Sequence, residues 1–78
     1  MSKKHIEDAV RTSMQSYFDD LKGIEPHNLH DLVIRVVEKP LLEMVMQHAD
    51  HNQSRAADWL GLNRNTLRKK LLEHKLIK

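Results

Sequence analysis

A chain of 78 residues holds one small domain, near the lower end of what buries a self-sufficient core without disulfides, metal or oligomerisation, so a partner subunit is to be expected. The absence of cysteine excludes disulfide staples, thiolate metal sites and a cysteine nucleophile, and no apolar run reaches the length of a signal core or membrane span, which makes the cytoplasm the expected location. The net charge of +2 conceals two opposite parts: residues 1–51 carry 6 Lys/Arg against 9 Asp/Glu, a balance of −3, and residues 52–78 carry 7 against 2, a balance of +5.

The expected fold class is all-α, with four helices. The first is expected over residues 6–21, where Ile6, Ala9, Val10, Met14, Tyr17, Phe18 and Leu21 recur at threes and fours and make one apolar stripe. Lys22 and Gly23 end it, a cation in the last turn followed by a residue free to take positive φ. Residues 25–28 read as a connector. The second helix begins at Asn28 or Leu29 and carries Leu29, Leu32, Val33, Val36 and Val37 on a broad apolar face. Pro40 interrupts it, yet Leu41, Leu42, Met44, Val45 and Met46 continue the periodicity, so one kinked helix is expected rather than two. Residues 47–52 turn polar and form a short loop. The expected division is therefore a helical core over residues 1–50 and a second unit over residues 51–78.

In that second unit Asn52 or Ser54 supplies a side-chain oxygen for the orphan amides of a third helix, which continues through Arg55, Ala56, Ala57, Asp58, Trp59 and Leu60 and stops at Gly61. Leu62 is expected as a buried turn residue, and Asn63 caps a fourth helix over residues 66–74 with Leu67 and Leu71 facing inward. Two short helices joined at a glycine are what a helix-turn-helix requires. It needs a small residue where the helices cross and a glycine where the backbone turns at positive φ; Ala57 and Gly61 meet both demands.

A clustered basic face is the electrostatic footprint of a phosphate-backbone binder. Arg64 or Arg68 suits bidentate contact with guanine O6 and N7, and Asn63 or Asn65 suits bases or phosphate. Thr66, Lys69 and Lys70 suit phosphate oxygens. Asn52, Gln53, Ser54 and Arg55 open the third helix, whose N-terminal amides are a natural seat for a backbone phosphate. Double-stranded DNA is the expected partner.

Four stretches carry a family resemblance: Tyr17-Phe18 followed by Leu21 and Gly23, the run Pro40-Leu41-Leu42-Glu43-Met44-Val45-Met46-Gln47, the run Asn52-Gln53-Ser54-Arg55-Ala56-Ala57, and residues 62–71. On them the chain resembles, from residue 6 to residue 74, the Fis family of bacterial nucleoid-associated factors for inversion stimulation. The last run alone also resembles the effector domains of sigma-54-dependent activators. The resemblance implies an intertwined homodimer, with the first two helices of both chains as its core and two helix-turn-helix units reaching adjacent major grooves. It implies degenerate sites, often A/T-rich at the centre, DNA bending, and specificity through deformability. It places DNA contacts on Asn52, Ser54, Arg55, Asn63, Arg64, Thr66, Arg68, Lys69 and Lys70, with Asn63 and Arg64 nearest the bases. With the excess apolar surface of the second helix, it makes Leu29, Leu32, Val33, Val36, Val37, Leu41, Met44 and Val45 the expected dimer interface. The enteric members carry a longer N-terminal arm that touches DNA invertases, whereas this sequence starts almost at its first helix, which argues against recombinase contact. A contact with RNA polymerase is open to such a protein, although no residue marks it. Asn65 stands where familiar members have glycine.

No metal and no cofactor is expected. His27/His30 and His48/His51 have i, i+3 spacing, but no third ligand is fixed beside either pair. Met14, Met44 and Met46 read as core filler, and Trp59 is expected to pack between the helix-turn-helix and the bundle. No Gly-rich phosphate loop, nucleophile elbow or chelating cluster is present, so an enzyme is not expected. Two other readings are a sequence-specific repressor or activator effector domain and a helical protein-interaction module. Affinity for random duplex against a chosen site separates the first of these from an architectural protein.

Overall fold

Apolar residues at threes and fours build the first two helices, as the periodicity predicts. In the computed structural model, which describes residues 2–78, α1 spans Lys3–Leu21 and α2 spans Leu29–His48. They are followed by α3, Gln53–Leu60, and α4, Arg64–Glu73. No strand occurs among the described residues. Pro40 lies inside α2 without breaking it. The helix simply does without the one donor that proline removes.

The ends of α2, α3 and α4 share one mechanism. At each, a residue in the left-handed region lets two successive N–H groups fold back onto the last free carbonyls, which is the Schellman arrangement. After α2, Asp50 (φ 54°) and His51 donate to the carbonyls of Gln47 and Met46 at 3.3 and 2.8 Å. After α3, Gly61 (φ 71°) and Leu62 donate to Asp58 and Ala57 at 3.2 and 2.9 Å. After α4, Lys75 (φ 58°) and Leu76 donate to Leu72 and Leu71 at 3.0 and 2.9 Å. Glycine serves only the middle one. A residue bearing Cβ pays about 1–2 kcal/mol for this conformation, which glycine avoids at some cost in unfolded-state entropy. Lys75→Gly is therefore expected to stabilise the fold by about 1 kcal/mol. The urea midpoint checks this, and an unchanged or lower midpoint would contradict it.

The core is small and lies at one end. Leu42, Met46 and Ala49 of α2 and its cap meet Ala56 and Ala57 of α3 and Leu67 and Leu71 of α4, all buried. Alanines on α3 let its neighbours approach closely, and the leucines fill the space between them. Val45 and Leu60 pack against this cluster, as do Leu76 and Ile77 of the tail beyond α4, which the sequence reading left without a role. Three of the seven buried residues come from the α2 region, before the division expected at residue 50.

The N-terminal half has no comparable core. Not one residue of α1 is buried, and α2 leaves Leu32, Ile34, Val36, Val37, Leu41 and Met44 exposed. The radius of gyration is 15.0 Å, against about 11.5 Å for a compact domain of this length. Between α1 and α2 runs an apolar groove with a cavity volume of about 730 Å³, walled by Ile6, Val10 and Met14 on one side and Leu32, Val33 and Val36 on the other.

Candidate nucleic-acid interface

Polar caps set the geometry here. The Asn52 side-chain oxygen accepts the Arg55 N–H at 3.0 Å and starts α3; the Asn63 oxygen accepts the Asn65 N–H at 2.8 Å and starts α4. Each cap replaces water at an orphan amide and is worth about 1 kcal/mol. The cap at Asn63 starts α4 at Arg64, two residues before the expected start. The two helix openings are neighbours: Arg64 Nη1 lies 3.5 Å from Ser54 Oγ, a contact at the outer limit of a hydrogen bond. That contact brings the opening turns of α3 and α4 to one edge of the molecule.

The orientation of α4 follows from its buried stripe. Leu67 and Leu71 are fully buried, one turn apart. Arg64 and Arg68, also one turn apart, therefore emerge on one flank, and Asn65 and Lys69 face away from the core. Of the nine residues assigned to DNA contact, Asn52, Ser54, Arg55, Asn63, Arg64, Thr66, Arg68 and Lys69 are exposed. All eight belong to α3, α4 or their caps.

Lys70 is different. Its ammonium lies 2.9 Å from Glu38 Oε2, and His74 Nε2 lies 2.9 Å from Glu38 Oε1. Hydrogen bonds from Lys70 and then His74 hold the Glu38 carboxyl below its ordinary value, against a desolvation that acts the other way. This cluster is almost invisible in the sequence. Its only local sign is the i, i+4 spacing of Lys70 and His74, and nothing nearby marks Glu38 as their partner.

Three other expectations need adjustment. Trp59 does not pack between the helix-turn-helix and the bundle: it is 55% exposed, because Ala56, Ala57 and Leu60 occupy the inner face of the short α3. Leu62 is half-buried. Val45, expected at a dimer face, lies against the helix-turn-helix core.

Among the described residues no helix is long and apolar enough to cross a membrane. The arrangement as a whole is a helix-turn-helix carried on a long helical arm, an architecture that regulatory DNA-binding proteins use. Residues 33–74 match the family described as bacterial regulatory protein, Fis family. A Fis-like DNA-binding protein of Ralstonia nicotianae is 53% identical over 77 residues, covering 99% of this chain and 100% of the relative. One of Neisseria meningitidis serogroup A is 51% identical over 72 residues, covering 92% of this chain and 91% of the relative. The DNA-binding protein Fis of Aliivibrio fischeri is 45% identical over 74 residues, which are 95% of this chain and 76% of that protein. The chain belongs to the Fis family.

Proposed function

We propose that this chain is a homodimeric, nucleoid-associated protein of the bacterial cytoplasm that binds and bends double-stranded DNA and so regulates transcription. Two recognition helices, one α4 from each protomer, enter adjacent major grooves and read degenerate sites. The observation that carries this reading is the set of eight exposed polar and basic side chains on α3, α4 and their caps, two helices whose openings meet at Ser54 and Arg64. Their roles follow from chemistry: Arg64 and Asn63 address base edges, while Arg55, Thr66, Arg68 and Lys69 take phosphate oxygens. Asn52 and Ser54 sit where the first amides of α3 can meet a backbone phosphate. A sheared or bent duplex lets both helices engage, and the deformation energy then supplies selectivity without many base contacts.

Dimerisation is supported by the groove between α1 and α2. A second copy of this chain offers the same apolar stripes of Leu29, Leu32, Val33, Val36 and Val37, extended along α2 by Leu41 and Met44. Filling that groove buries the surface that one chain alone leaves in water, at about 1.5–3 kcal/mol for each large side chain fully covered.

A gel-shift titration of wild type and Arg64→Ala, on an A/T-centred duplex and a scrambled control at two salt concentrations, tests the function. Wild type is expected to bind both duplexes tightly and to weaken steeply with salt. Arg64→Ala, which removes one base contact from each protomer, is expected to lose at least about 100-fold, at about 1–3 kcal/mol for each contact. Absence of binding by folded wild-type protein would defeat the reading.

A further inference from the structure

The exposed ion pairs of this chain are local. Arg11 with Glu7 and Asp8, and Arg35 with Asp31, span one turn of helix and keep more than half of each side chain in water. Such pairs contribute about 0–1 kcal/mol. Glu38 is unlike them. Its side chain is 18% exposed, those of Lys70 and His74 are 32% and 12% exposed, and the bonds reach across 32 and 36 residues. Among the described residues these are the only side-chain hydrogen bonds that join α2 to the helix-turn-helix. Both carboxylate oxygens are used, one on each partner.

The place of Glu38 in α2 gives the contact its meaning. It precedes Leu42 by one turn, on the stripe of α2 that faces the core, and it directly follows Val36 and Val37 of the groove. It therefore stands where the arm of the molecule meets its basic end. Leu67 and Leu71 hold α4 against the core through apolar contacts, which set its depth more firmly than its direction. A two-point polar clamp at Lys70 and His74 fixes that direction, because hydrogen bonds are directional and apolar contacts are not. The leverage is considerable: α4 is about 15 Å long, so a swing of about 4° at its C-terminal end moves the other end by about 1 Å. Displacements of that size degrade contacts that need good geometry.

We propose that Glu38 is a positioning residue for DNA recognition, which clamps Lys70 and His74 of α4 onto α2 and so fixes the separation at which the two recognition helices of the dimer present Arg64. Lys70 acts inside the clamp and not on a phosphate. The inference rests on the dimeric DNA-binding reading. Arg35, Lys39 and Glu73 line the same cleft as Glu38 and His74, and none of them bridges α2 to α4.

The test measures affinity for a series of duplexes in which the separation of the two half-sites is varied one base pair at a time. Glu38→Gln keeps the shape of the side chain and removes its charge; Lys70→Ala removes its main partner. Wild type is expected to prefer one separation, and both variants to lose that preference while remaining folded by circular dichroism. The salt dependence carries the second readout. Loss of one phosphate contact from each protomer lowers the slope of log affinity against log salt by about 1.8, at about 0.9 per contact; Lys70→Ala is expected to leave that slope unchanged. Spacing preferences of wild type kept by both variants would overturn the proposal, as would a reduced slope for Lys70→Ala. Wild type that binds no duplex at all would instead defeat the DNA-binding reading beneath it.

Discussion

Replacing Leu32 and Val36 together by aspartate is expected to abolish the dimer. Sedimentation equilibrium of wild type should give twice the 9.2 kDa chain mass, and the double variant should give a single chain with much of its helical circular dichroism lost. Both side chains keep much of their surface in water in the isolated chain, at 41% and 63% exposed, so aspartate there costs an isolated protomer far less than it costs a seam between two. Between two protomers the same change places four carboxylates in a seam whose lining is apolar apart from His5, Ser13 and Tyr17. Each such charge carries a penalty of several kcal/mol. The contrast makes the experiment decisive. If Leu32 and Val36 were simply surface residues, the variant would remain folded with unchanged mass, and this interface would be wrong. DNA affinity should fall with the dimer, because the second half-site is bound with the advantage of a tethered partner only while both protomers are joined.

The parts of this molecule legible in its sequence are those whose causes are local. Ile6 to Leu21 mark α1 because an apolar stripe repeats along one face, and Asn52 and Asn63 mark the openings of α3 and α4 because their side chains reach amides two or three residues away. Gly61 marks the turn because it takes a φ of 71° without the penalty a Cβ brings. Boundaries drift where no local group signals them: Lys3 to His5 extend α1 without adding to its stripe, and Arg64 and Asn65 are helical although neither touches the core. The left-handed ends at Asp50 and Lys75 were hidden because their residue types do not advertise positive φ as glycine does. Glu38 was hidden more deeply. Its partners are 32 and 36 residues away, and only the packing of α2 on α4 brings them within reach. Trp59 shows the converse error, since a large aromatic residue suggests a core position, but three smaller neighbours already fill the inner face of α3.

Leu67→Ala is expected to separate what holds the recognition helix in place from what touches DNA. Leu67 is completely buried, directly beneath the turn that carries Arg64 and Arg68, and it is one of only three large side chains at the centre of the small core. Truncating it leaves a cavity that alanines on α3 are too short to fill, at a cost of about 2–5 kcal/mol. A chain of this length has roughly 4–12 kcal/mol of total stability, so urea unfolding should show a midpoint lowered by a large fraction of its wild-type value. DNA affinity should fall as well, although no side chain that faces the duplex has been changed. Arg64→Ala is expected to do the reverse, losing affinity while its unfolding free energy stays within about 0.5 kcal/mol of wild type, as surface substitutions generally do. Saturating DNA should then restore much of the lost stability of Leu67→Ala, because a ligand that binds only the folded state shifts the equilibrium toward it. The same DNA concentration should raise the stability of Arg64→Ala far less, because that variant binds the duplex weakly. If Leu67→Ala kept wild-type stability, the three-helix junction of α2, α3 and α4 would not be the core of this protein.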